Sequence, residues 1–191
     1  MTPTKEFSKN ESTLAYYHLL TIYHSSLTNL SHNALITDVT QIYPTEFPDN
    51  LILKRNRFDT IFTVKTEDNP MIYVLGETKK IGGNHIISQV HIPMIDFRSI
   101  THDHHLAKSI TDEIRNMTEW LPEPFRISPY DEPFVGLTTS YIERIIDFEN
   151  VSAVADDVVR AVQSFDTLRS VFGEWTQSPT MKMLGVNVPI I

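Results

Sequence analysis

The chain has 191 residues with a net charge of −8, and 41% of its residues are hydrophobic. That size fits one domain able to bury a sizeable core, the acidic balance disfavours a general nucleic-acid binder that grips phosphates along its whole surface, and the absence of cysteine excludes disulfides, thiolate metal sites and cysteine nucleophiles. No apolar run approaches the 18 residues of a membrane span, and Met1–Glu6 lacks a hydrophobic signal core. The expectation is therefore a cytoplasmic protein with no membrane partner.

The charge is unevenly spread. Six of the 16 basic residues (Lys54, Arg55, Arg57, Lys65, Lys79 and Lys80) fall within 27 positions, and 13 of the 24 acidic ones lie from Asp112 onward. A local basic face, or a strand edge guarded by Lys and Arg, follows from that distribution.

Taken in order, Ser8-Lys9-Asn10-Glu11 has the form of a capping box. Tyr16, Leu19, Leu20, Tyr23, Leu27 and Leu30 recur at helical spacing behind it, which predicts a helix over roughly 11–31. Residues 34–43 read as a short strand, and the two prolines of 44–50 as a connection. Residues 51–65 and 71–75 flank the turn Thr66-Glu67-Asp68-Asn69-Pro70 and predict an antiparallel hairpin. With the turn centred near Asp68, position 59 faces position 77. After Gly82-Gly83-Asn84 comes a strand over roughly 86–97, with Ile86, Val90, Ile92 and Met94 on one face and Ile87, Ile95 and Phe97 on the other. A strand apolar on both faces is central.

Leu106, Ile110, Ile114, Met117 and Leu121 predict a helix that stops at Pro122. Phe125-Arg126-Ile127 and Phe134–Thr139 read as a second hairpin. Asn150 is expected to cap a helix carrying Val151, Val154, Ala155, Val158, Val162 and Phe165, and the tail from Gly173 to add a last strand. The whole is one domain over 1–191: an N-terminal helix and short strand over 1–50, then a sheet-and-helix core over 51–191. Its class is α+β, or mixed α/β, with a central, mostly antiparallel sheet and flanking helices.

The run His91-Ile92-Pro93-Met94-Ile95-Asp96-Phe97, followed by a helix, a hairpin containing Ser128, a helix and Phe165-Asp166, resembles the core of the archaeo-eukaryotic primase superfamily over residues 71–190. The resemblance implies a primase-like, RRM-like core. It also implies two carboxylates at i and i+2 of one strand that share a pair of Mg²⁺ ions, a serine and a histidine of the hairpin on nucleotide phosphate, and a third carboxylate completing the metal site. Asp96 matches the first carboxylate, but Arg98 stands where the second belongs. Ser128 matches the serine, whereas Tyr130 or Val135 occupies the histidine position, and Asp166 matches the third carboxylate only loosely. A permanent cation in place of a metal ligand implies a degenerate member, binding nucleic acid or nucleotide through Lys79, Lys80, Arg98, Ser128 and Arg126, or serving as a partner subunit.

A second set of residues is similar to the Asp…Glu-x-Lys signature of PD-(D/E)xK nucleases: Asp59, Glu77 and Lys79. That resemblance implies Mg²⁺ or Mn²⁺ on Asp59 and Glu77, with Lys79 positioning the attacking water. A plain protein-interaction domain is a third reading. In His102-Asp103-His104-His105, neighbouring histidines rarely converge on one ion, so the segment reads as a helix start with Asp103 at the positive end of the dipole. His85 and His91, six apart on one strand, read as structural.

Overall fold

The computed structural model describes residues 9–43, 58–79, 85–96, 103–128 and 137–191. Among them the strands are β1 (Asp38–Ile42), β2 (Thr60–Lys65), β3 (Ile72–Lys79), β4 (His85–Asp96), β5 (Arg126–Ser128) and β6 (Leu137–Ile146), and the helices are α1 (Lys9–Thr28), α2 (His104–Asn116), α3 (Ala153–Thr176) and α4 (Pro179–Leu184). The strands form one sheet in the order β1-β2-β3-β4-β6-β5, every pair antiparallel. The fold is α+β. No helix among the described residues is long and apolar enough to cross a membrane.

The pleat assigns each residue to a face. Ile86, Val90, Ile92 and Met94 of β4 enter one large core with Leu19, Tyr23 and Leu27 of α1, Ile110 and Ile114 of α2, and Val158, Phe165 and Phe172 of α3. Two polar contacts fix the helices to this face. The Tyr23 hydroxyl and Ser88 Oγ share a buried hydrogen bond of 3.0 Å. Arg144 of β6 donates from Nε and Nη2 to the two carboxylate oxygens of Asp157 on α3, at 2.6 and 2.7 Å. The opposite face holds a second, smaller cluster of Phe58, Ile61, Tyr73 and Leu75, with Ile42, Met71 and Ile191 against it.

Several expectations change. Predicted as a strand over 34–43, β1 covers only Asp38–Ile42, and a 3-10 turn (Asn29–His32) separates it from α1. Asn150 does not cap α3. Its Oδ1 accepts from the Asp147 amide and its Nδ2 donates to the Ile145 carbonyl, so its side chain closes the turn after β6. Gly173 does not open a last strand: α3 runs through it to Thr176. Ser178 then caps α4 with Pro179 in its first turn, and the tail meets the sheet at a single bridge, Ile95 to Ile190.

Ile95 also leaves its predicted face. The β4–β6 register shifts between Pro93 and Ile95: Pro93 faces Thr139, and Ile95 faces Thr138. This bulge places Met94 and Ile95 together in the helix-side core. The extra residue inverts the alternation beyond it, so Asp96 turns to the face opposite the described helices. The capping box at Ser8 and the strand residues 51–57 lie outside the described residues.

Candidate functional site

The face opposite the described helices carries one row of residues in register across the six described strands: Thr40, Thr63, Tyr73, His91, Tyr141 and Arg126. The row is buried at its centre, where Tyr73 is 6% and His91 1% exposed. It opens toward β5, where Tyr141 is half-buried and Arg126 exposed. The His91 and Tyr141 rings are stacked, with centroids 5.0 Å apart and planes 10° apart.

A hydrogen-bonded chain runs through His91. Gln89 Nε2 donates to Glu143 Oε2, which leaves Gln89 Oε1 as the acceptor facing His91 Nε2 at 3.0 Å. His91 Nε2 therefore carries the proton, and Nδ1 accepts from the Thr139 hydroxyl at 2.6 Å. Burial pushes the His91 ring down to a pKa of about 3 from the ordinary 6.5, because no water is left to solvate the imidazolium. Gln89, His91 and Thr139 are all buried, whereas Glu143, the last link, is exposed.

Asp96 and the nuclease-like residues sit at opposite ends of this face. Glu77 pairs with Ile87, nine residues before Asp96, a separation of roughly 25–30 Å at about 3.3 Å per residue. They cannot share an ion. Asp166 is an exposed residue of α3, in the helix layer, while the bulge turns Asp96 to the other face. That separation removes the loosely matched third carboxylate from the primase-like set. Ser128 pairs with Thr139 on β6, so β6 lies between it and Asp96, two strand spacings or roughly 9–10 Å.

At the other end, Thr60 faces Gly76 and Ile61 faces Leu75, the register expected from a turn centred on Asp68. The pairing ends at Thr60–Gly76, and beyond it the Asp59 amide donates to the Gly76 carbonyl at 2.9 Å, which brings Asp59 to the strand end next to Glu77 without pairing the two. Asp59 is exposed, Glu77 half-buried, and Lys79 closes β3 opposite His85. Arg98 and Lys80, with Tyr130, Val135 and His102, lie outside the described residues. Among the described residues, no three His, Asp or Glu side chains converge as a metal-binding group. Asp103 is the N-cap of α2, accepting from the His105 and Leu106 amides, as the helix-start reading of that segment expected.

Sequence reading missed the chain around His91. Its signal was available: Gln89 and His91 at i and i+2 of a largely apolar strand, and Thr139, Tyr141 and Glu143 at the same period. Polar residues that recur on one face of a buried strand mark a bonded network. No protein-family model, curated protein or solved structure matches the chain, so its function has to be argued from these residues.

Proposed function

We propose that this chain is a catalytically degenerate, primase-like binding protein that takes a nucleotide or a single-stranded nucleic acid on the face opposite the described helices, at the β5–β6 end. The observation that carries the reading is the division of the candidate residues between faces. Asp96 shares its face with exposed Arg126, while Asp166 belongs to the helix layer. Two-metal phosphoryl transfer needs carboxylates converging on ions about 3.5–4 Å apart, and Asp96 and Asp166, on opposite faces of the sheet, do not converge. The guanidinium of exposed Arg126, which pairs across the strands with Tyr141, supplies what phosphate binding needs, a donor fork. The acidic balance of the chain favours a short, local contact over tracking along a duplex.

Fluorescence anisotropy of a labelled single strand tests this. Arg126→Ala is expected to weaken binding about tenfold or more, in line with the 1.5–3 kcal/mol of a charge-assisted hydrogen bond, and neither wild type nor variant is expected to extend a primer with Mg²⁺ or Mn²⁺. Incorporation lost in Asp96→Ala would overturn the reading.

One observation favours a second reading, a metal-dependent nuclease using Asp59, Glu77 and Lys79: the hairpin pairing that ends at Thr60–Gly76, with Asp59 and Glu77 each the next residue along. Against it, β3 leads into strand β4 and not into a helix over the carboxylates. Cleavage of DNA or RNA with Mn²⁺, lost in both Glu77→Ala and Lys79→Ala, would make the nuclease the better account.

A further inference from the structure

We propose that Glu143 is the specificity-determining residue of this site and that it selects guanine. The proposal rests on the nucleotide-binding reading above. Three buried side chains, Thr139, His91 and Gln89, form a chain of hydrogen bonds whose one exposed end is the Glu143 carboxylate. Buried polar groups are costly unless fully bonded, and here each link is satisfied in a fixed direction. The result is a surface carboxylate held in one orientation, where an ordinary surface Glu samples many rotamers. Orientation of that kind, imposed from beneath by residues that touch no ligand themselves, is what a recognition group requires.

The position suits a base edge. Glu143 lies two residues from Tyr141 on the same face of β6, about 7 Å along the strand. The β5 pairing ends where Arg126 faces Tyr141, so Glu143 stands just beyond it. A nucleotide with its phosphate at Arg126 would meet a carboxylate with its base. Of a carboxylate's four lone-pair positions, Gln89 takes one, and both oxygens still accept. Guanine presents two adjacent donors, N1–H and the N2 amino group. Adenine and cytosine each set a ring-nitrogen acceptor beside their amino donor, and uracil sets a carbonyl on each side of its N–H. Each of those three turns a lone pair toward an anion. A site built to bond a donor pair rejects ligands that lack it.

Isothermal titration of GTP, ITP and ATP against the full chain, wild type, Glu143→Gln and Glu143→Asp, tests the assignment. GTP is expected to bind at least tenfold tighter than ATP, with ITP, which lacks the N2 amino group, between them. Glu143→Gln should abolish the preference, weakening GTP and relieving ATP of the repulsion between its lone pair and the anion, and Glu143→Asp should retain part of the preference. Equal binding of GTP and ATP by wild type, or a preference untouched by Glu143→Gln, would overturn the assignment and leave the binding site standing. Binding of none of the three would overturn both. Unchanged circular dichroism of the variants separates recognition from loss of fold.

Discussion

His91 offers the most direct handle on the buried chain. Its ring is held neutral by burial, with a pKa of about 3 against 6.5 when exposed. Between those two values the unfolded chain binds a proton that the folded chain refuses, so stability rises with pH across the window and falls as pH drops through it. At pH 7 the effect is negligible. At pH 4.5 the unfolded imidazole is almost fully protonated, and a two-unit displacement at about 1.36 kcal/mol per unit gives roughly 2.5 kcal/mol of lost stability. Carboxylates and His24, whose pKa burial also lowers, change stability over the same range, so a comparison is needed. Urea unfolding of wild type and His91→Gln at several pH values from 7 to 4.5 isolates the ring. The variant is expected to be less stable at pH 7, having lost the bond pattern to Thr139 and Gln89, yet to have a shallower slope. The wild type should lose about 2.5 kcal/mol more than the variant over that interval. Parallel slopes would refute the claim that His91 is a neutral, buried link.

Other substitutions probe the scaffold beneath the site. Arg144→Ala should destabilise by about 2–3 kcal/mol, less than for a wholly buried pair because the arginine is partly exposed, since it leaves the buried Asp157 carboxylate without its cation; Arg144→Met with Asp157→Leu should recover most of that loss in thermal unfolding. Tyr23→Phe removes the bond to Ser88 and should cost about 1 kcal/mol, measured by urea titration. Gly76→Ala should cost about 1–2 kcal/mol, because its Cβ would meet Thr60 Oγ1 at 3.0 Å and Ile86 Cγ2 at 3.3 Å; full stability would show that β2 and β3 can separate there.

Much of the fold was legible because its signals are local. The turn at Thr66–Pro70 set the β2–β3 register, and the helical spacing of Leu19, Tyr23 and Leu27 marked α1 and its buried face. What the sequence did not disclose depends on partners far along the chain. The bulge at Pro93–Ile95 is completed by pairing with β6, over 40 residues later; Pro93, which cannot donate to a central ladder, is its one local signal, and the partner strand has none. Yet the bulge decides which face receives Asp96. Asn150 had the chemistry of a cap, and only the geometry of the turn at Asp147 assigned its bonds elsewhere. In the tail, Val186, Val188 and Ile190 alternate as a strand would, but Ser178-Pro179 starts a helix first. As for the site, turn arithmetic gave the hairpin register as far as Thr60–Gly76. The Thr139–His91–Gln89–Glu143 chain needed the β4–β6 register to become visible.

Amide hydrogen exchange with and without a millimolar nucleoside triphosphate tests the central claim most directly, because it locates the bound ligand on the sheet. The account predicts added protection in peptides covering β5 and β6, residues 126–128 and 137–146, with none in the β2–β3 hairpin. Protection confined to residues 59–79, at the Asp59–Glu77 end, would contradict it.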